Sequence, residues 1–455
     1  MFDKKSYRYI YWLITGFVGK NIKLILLTSI LTVITIIGLI SLTPYFETVL
    51  LTKQEHIGSV GSYDFTNLPN EITSKVSNGL VYINEKGEII PTLATGWEII
   101  DNNKGYRFHL KDNYLWSDGK KFTAHDLRYE FKDVKVKVID DLTIEFYLTK
   151  PLQIFPTYLR LPVLRYPLIG VAGLYRLDHF KVQYGRATEL SLAPNKPDLS
   201  YLKYHFYENE TQMINAYKRG EINRFTTNKK NIADVFVNWK NTQVDKSVDY
   251  SRLLTLFFNM TNPFFADKEV RQAIAESFDP DKIAELGELA NGPIPPTSWA
   301  YNQNLGPVKY DVDSAEKTVR KSIPATSEAK LEFATYYDYL EPADEIVTKA
   351  LNTLGLNPNV TLISSDKLPK FDLLLAFWKV PEDPDQYYFW HQTQVKGGNI
   401  GGYKNVKIDK LLEDGRSTIT TRERRSIYEN LQKVILDDPP AAFLYYPYIY
   451  SIYRK

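Results

Sequence analysis

The chain contains no cysteine. Disulfides, thiol nucleophiles and cysteine-based metal sites are therefore excluded, as is a lipid anchor carried on an N-terminal cysteine. A chain of 455 residues can be exported without disulfides, because lobes of that size hold together unaided. Catalytic signatures are missing as well: no G-x-S-x-G, H-E-x-x-H, Walker A or Rossmann glycine pattern occurs. Ser117–Lys120 and Ser327–Lys330 match S-x-x-K in spacing alone. His56, His109, His125, His179, His205 and His391 stand at no metal-ligand spacing. Asp383 and Asp385 could offer oxygens to a cation, but Asp-Pro-Asp reads as a turn in which aspartate caps its own backbone. Neither an enzyme nor a metal or cofactor site is expected. Net charge is +2, with Lys and Arg interspersed among Asp and Glu, so no basic stripe marks a nucleic-acid partner.

What the chain does have is aromatic mass: 33 Tyr, 23 Phe and 7 Trp, 14% of all residues. Most of these are expected to fill half-buried strands. A minority is available to line a ligand cleft, where Tyr and Trp give large area at low rotamer cost. The length exceeds the roughly 250–300 residues at which one core stops growing, so at least two lobes are expected.

One apolar run stands apart. Leu24 to Leu42 carries no charge, and at about 1.5 Å per residue it covers about 28 Å, enough for a hydrocarbon core of about 30 Å. Lys4, Lys5, Arg8, Lys20 and Lys23 precede it, against Glu47 and Lys53 after it. That asymmetry predicts an N-terminus in the cytoplasm and everything beyond Thr43 outside. No alanine occurs before Ala94, so a small-residue cleavage site is lacking and an uncleaved anchor is predicted. Residues 7–19, aromatic and apolar between basic flanks, fit an interfacial segment or a short aromatic belt.

Beyond the anchor the periodicity predicts strands at His56–Tyr63, Tyr106–Leu110 and Ile139–Leu148, and a hairpin of Gly79–Ile83 with Glu88–Ile90. Thr123–Asp126 opens a short helix in capping-box style, with Leu127 and Phe131 inward. A helix from Glu210 stops at Gly220. Arg252–Asn259 is a continuous apolar run, as in a buried strand, and a helix over Asp267–Phe278 follows. After residue 310, helices near Ser314–Ser322 and from Pro342 alternate with strands Lys330–Tyr337, Asn359–Ser364 and Phe371–Trp378. This predicts βαβ units and a mostly parallel sheet. A helix from Thr420 to Asp438 and an aromatic strand Ala442–Tyr453 close the chain.

An ordered set of segments then resembles the family 5 extracellular solute-binding proteins, the peptide and nickel receptors of ABC importers. It comprises Pro91–Glu98, Tyr106–Lys111, Trp116–Asp126, Ile169–Tyr175, Phe257–Asn259 with Asp267–Ala273 and Asp279, and Asp383–Asp385. It continues through Asn399–Tyr403 and Asp409–Leu412 to Arg416, Arg425, Tyr428 and Pro440. The resemblance implies an α/β, two-lobed periplasmic-binding-protein-like fold with an extra small subdomain, which the apolar run sets behind one N-terminal transmembrane helix. Expected divisions are 1–20 (cytoplasmic or interfacial), 21–43 (transmembrane), 55–257 (first lobe, with a subdomain inserted near 80–160), 258–435 (second lobe) and 436–455 (return strand). It implies a monomer on the extracytoplasmic face of the cell membrane, capturing peptides or peptide-like solutes for an ABC permease and its ATPase. An envelope interaction protein that keeps the fold without transport is the alternative.

Ligand contacts implied by the resemblance come from two extended segments, Gly61-Ser62-Tyr63 and Phe377-Trp378-Lys379, with Trp378 as a cleft wall. A bound peptide would pair its backbone with them. Peptide-binding relatives carry an aspartate three residues after that tryptophan, paired with the ligand α-amine. Pro381 stands there here, leaving Glu382 and Asp383 as the candidate acids. The stretch between Phe131 and Ile139 is also short, so a trimmed subdomain is expected.

Overall fold

Runs of alternating and continuous apolar residues dominate the chain after the N-terminal helix, and most of them pair into one extended sheet. The structure, a computed structural model, describes residues 4–46, 53–101, 104–323, 330–336, 340–364 and 368–455. Glu47 and Ser327 lie outside these, as does Tyr337 at the end of a predicted strand. Among the described residues the main sheet has twelve strands: β1 Gln54–Val60, β2 Tyr175–Gln183, β3 Arg186–Pro194, β4 Tyr201–Tyr207, β5 Arg224–Thr227, β6 Thr242–Val248, β7 Arg252–Phe258, β8 Gly287–Leu289, β9 Lys330–Tyr336, β10 Asn357–Ile363, β11 Leu373–Lys379 and β12 Ala441–Arg454. Their order is β2-β3-β4-β1-β5-β12-β7-β11-β9-β10, with β6 and β8 also paired to β12.

The long aromatic strand β12 is shared between the lobes. Its first residues pair with β7 and β8 (Leu254 opposite Tyr445, Glu288 opposite Tyr446), and its later ones with β5 and β6 (Thr227 opposite Tyr450, Val248 opposite Tyr448). β1 to β5 lie on one side of β12 in the strand order, and β7 and β9 to β11 on the other. The second sheet half is mixed rather than mostly parallel. β9 runs parallel to β10 and β11, whereas β7 is antiparallel to both β11 and β12. Alternating helices gave the βαβ units correctly but could not reveal that β7 enters from the other lobe in the opposite sense.

Local chemistry ends the helices where expected. Asn209 caps the helix Glu210–Arg219 by accepting from Gln212 N, and Gly220 closes it at φ +83°. The helix Lys268–Glu276 starts at Asp267, which accepts from Glu269 N. The last helix, Thr421–Asp437, starts at Thr420, whose hydroxyl accepts from Glu423 N. Two predicted elements differ. Thr123–Asp126 keeps its capping box, with Asp126 accepting the Thr123 N–H at 2.9 Å, but it is a single 3-10 turn over Ala124–Asp126. Ile139–Leu148 is two strands, Val134–Asp140 and Thr143–Leu148, joined by a turn where Asp140 accepts from Leu142 N. The Asp-Asp pair is turn chemistry inside an otherwise strand-like run.

Those strands join Ala94–Ile100 and Gly105–Leu110 in a separate four-stranded sheet. Tyr106, Phe108, Phe146 and Phe155 fill its core, with the Phe155 ring 5.3 Å from Tyr106 and 5.2 Å from Phe146. N-terminal to everything lies the helix Lys4–Phe46, whose Tyr7–Ser41 stretch is long and apolar enough to cross a membrane. It leaves helical geometry at Asn21 (φ −116°, ψ 16°), between the aromatic segment and the uncharged run.

Candidate ligand-binding cleft

β11 delivers the chain to the cleft. Arg252 of β7 sits opposite Lys379, and Val380 N donates to Ser251 O at 2.8 Å, after which Pro381 ends the pairing. The next residues divide between interior and cleft. Asp383 is buried and accepts from Arg424 at 2.7 Å, while its other task is to cap Asp385 N at 3.0 Å. Arg424 also donates to Gly415 O and lies over the Trp299 ring. Burial alone would lower its pKa, yet the Asp383 carboxylate beside it carries the value above the ordinary arginine range. Asp383 is thus engaged inside the second lobe by Arg424 and the Asp385 N–H.

Trp378 is likewise turned inward. It is 7% exposed, its Nε1–H donates to Thr255 Oγ1 at 3.1 Å, and its ring meets Phe389 and Trp390 at 4.4 and 5.7 Å. β11 is covered on both faces through Ala376, and the Trp378 indole packs into that same interior. Phe377 is half-buried, edge-on to Tyr445 at 6.0 Å. In the first lobe, Gly61 continues β1 (N–H to Tyr207 O, 2.9 Å) at φ +147°, a conformation that suits glycine. Tyr63 folds back: its hydroxyl donates to Val60 O at 3.0 Å and its ring packs on Phe206 at 5.1 Å. Ser62 O accepts from Asn67.

Lys379 and Glu382 face the other lobe. With Asn70, Glu71, Asn78 and Arg160 they line a polar cavity of about 450 Å³ that spans the lobes. Gly61, Ser62, Tyr63, Phe377, Trp378 and Asp383 are not among its walls. Across it Arg160 Nε lies 2.8 Å from Glu382 Oε2. A second crossing is deeper: Arg416 donates to Asp385 Oδ2 and to Tyr158 OH, both at 2.9 Å, and Gln153 N–H reaches Arg416 O at 3.2 Å. Burial pushes the Asp385 carboxyl up and Arg416 pulls it back, leaving it raised; burial likewise raises Tyr158. A third crossing is steric. Gly87, at φ +77° in the 81–91 hairpin, lies so close to the Trp299 indole that a Cβ would come within 2.3 Å. Arg160, Tyr158, Asn70 and Glu71 escaped the sequence reading, since no spacing ties them to the Lys379–Glu382 turn. Arg416 enters that reading as a motif residue only.

Two lobes on one shared sheet, with a polar cavity lined from both, give the molecule a bivalve architecture. The model of the bacterial extracellular solute-binding proteins, family 5 (middle), matches residues 88–399, and the chain belongs to that family. The oligopeptide-binding protein AppA of Bacillus subtilis (strain 168) is 24% identical over 477 residues, covering 86% of this chain and 86% of its own. Among solved structures, NikZ from Campylobacter jejuni in complex with Ni(L-His) is similar at TM-score 0.71 and 22% identity, over 88% of this chain and 94% of that one. AppA from Bacillus subtilis in complex with a nonapeptide is similar at TM-score 0.69 and 20% identity, over 89% and 95%.

Proposed function

We propose that the protein captures a peptide or peptide-like solute between its lobes and delivers it to an ABC importer, held at the outer face of the cell membrane by its N-terminal helix. The observation that carries this is the cavity bridged by Arg160 and Glu382, large enough for a few residues and lined by hydrogen-bonding groups of both lobes. Relatives named as oligopeptide-binding, D,D-dipeptide-binding and murein peptide-binding support the ligand class.

In this reading residues 55–257 form the first lobe, 258–435 the second, and 436–455 return to the first. Closure pivots on the two connections near Asp249–Ser251 and Tyr446–Tyr448, where Asp249 N donates to Pro447 O at 2.9 Å. The extended backbone at Gly61-Ser62-Tyr63 and at Phe377-Trp378-Lys379 pairs with the ligand main chain, and side chains are chosen by Lys379, Glu382 and Arg160. The side chains of Trp378 and Asp383 shape the site from behind without touching solute.

Native mass spectrometry of the purified chain, followed by calorimetry with the peptide class it retains, tests the proposal. A bound peptide whose affinity drops on Lys379→Ala is the expected result. A retained solute of another class, or one indifferent to Lys379, Glu382 and Arg160 variants alike, would overturn it.

A further inference from the structure

The lysines scatter along the sequence, yet the strands bring four of them to one end of the first lobe. Tyr201 N donates to Lys53 O at 2.9 Å, so the turn before β4 that carries Lys196 lies beside the start of β1. β5 runs parallel to β1, with Arg224 opposite Ile57. The turn ahead of it is fastened there by Asn223 N to His56 O at 2.8 Å, and this places Lys218 at the same level. β12 returns with Arg454 opposite Thr242, and Lys455 N meets Asn241 O at 3.1 Å, which adds the Val237–Asn241 turn and Lys240.

Lys53, Lys196, Lys218 and Lys240 are all exposed. Of the arginines nearby, Arg219 is paired with Glu221 at 2.6 Å and Arg224 with Glu55 at 3.1 Å, whereas Arg176 and Arg454 donate to neutral oxygens, Asn195 Oδ1 and Tyr217 O. Asp198 is an exposed acid among the four lysines. Val237 and Leu174 add exposed apolar area at 58% and 48%, and Trp239 sits half-buried next to Lys240. The opposite end of the same strands is mixed in charge, carrying Asp64, Glu208, Glu210, Lys229 and Lys230.

The basic end is also the tethered end. The N-terminal helix runs to Phe46 and Lys53 leads into β1. Even fully extended, the chain between those residues reaches about 25 Å.

We propose that this end of the first lobe rests on an anionic lipid surface through Lys53, Lys196, Lys218 and Lys240, with the solute cleft turned away from the bilayer. The inference rests on the anchoring half of the proposed function. Lysine ammonium groups within a Debye length of anionic headgroups are attracted to them, each strengthening association about fivefold, and salt screens the effect. Exposed valine and a neighbouring tryptophan suit the same interface.

The test uses the full chain in vesicles. Because the chain has no cysteine, Asn238→Cys and Tyr184→Cys each give a single labelling site, one on the basic end and one at the far tip of the β2–β3 hairpin. Energy transfer to a headgroup-labelled lipid reads their height above the bilayer. In vesicles rich in phosphatidylglycerol, the label on the basic end should transfer strongly and the label on the hairpin tip weakly. The basic-end signal should fall in pure phosphatidylcholine, in about 0.5 M salt, and in the combined Lys53→Glu, Lys196→Glu, Lys240→Glu variant. Equal transfer from the two labels, or a basic-end signal indifferent to lipid charge, would overturn the proposal and leave the lysines to an acidic protein surface. Flotation of the chain with the vesicles at high salt reports the anchor separately. Failure to float would sink the anchoring reading itself.

Discussion

Glu382 and Asp383 are neighbours in sequence with the same chemistry, and the fold sends them to opposite duties. Asp383 and Arg424 meet inside the second lobe with side chains 8% and 6% exposed, whereas Glu382, 71% exposed, reaches across to Arg160 of the first lobe. Breaking a buried pair strands a charge in a poorly solvated site at a cost of about 3–5 kcal/mol, while an exposed pair contributes about 0–1 kcal/mol. Burial, not residue type, separates an acid that holds the fold from one that can yield to a ligand. Trp378 and Lys379 repeat the contrast on the preceding strand.

The sharpest way to break the comparison is to remove the interior partners. Asp383→Ala and Trp378→Ala should each destabilise the protein by about 3–5 kcal/mol, seen as a lower urea midpoint. The fraction that remains folded should still bind solute. A variant of either residue with native stability and abolished binding would return that side chain to the cleft.

A step down in size is Tyr158→Phe. It deletes the hydroxyl that Arg416 contacts beside Asp385 between the lobes, a bond to a charged group worth about 1.5–3 kcal/mol. Because the lost contact joins the lobes, the expected readout is a larger radius of gyration by X-ray scattering. Lower stability with an unchanged radius would show that the contact serves only the subdomain.

The first lobe has its own half-buried ionisable pair. His56 Nδ1 and His205 Nε2 lie 3.2 Å apart on β1 and β4. Burial lowers the pKa of both; Lys203 lowers His56 further, and Glu189 opposes the shift in each. The folded state therefore binds these protons less readily than the unfolded chain, whose histidines titrate near about 6.5. Stability should be full above that value and decline as pH falls through the lowered folded values. Urea midpoints measured across this range should slope less in His56→Gln than in the parent chain. Equal slopes would remove the pair from the account.

The smallest expected effect on stability comes from the cleft. Glu382→Gln and Lys379→Ala should move stability by no more than about 0.5 kcal/mol. Since Pro381 stands where the family resemblance implies an amine-clamping acid and Glu382 is engaged by Arg160, N-acetylation of a peptide ligand should weaken binding less than about tenfold, or 1.4 kcal/mol. A larger loss, abolished by Glu382→Gln, would show that the ligand amine displaces Arg160 and takes the acid over.

Much of this protein was readable along the chain because its cause is local. The uncharged stretch from Leu24, the buried run of β7, the Gly220 stop and the helix starts at Glu210, Asp267 and Thr420 each follow from a few adjacent residues. The order of family segments extended that to two lobes. Side-chain duty at the cleft was another matter. Period-two reasoning assigns faces to a strand, but β11 is covered on both, so Trp378 could not be told from a wall. Asp383 was settled by Arg424, which stands 41 residues away. Lysines interspersed with acids in sequence became a basic surface only when β1, β4, β5 and β12 aligned their ends. Burial and long-range partners decide such roles, and both come into being only when distant segments pack.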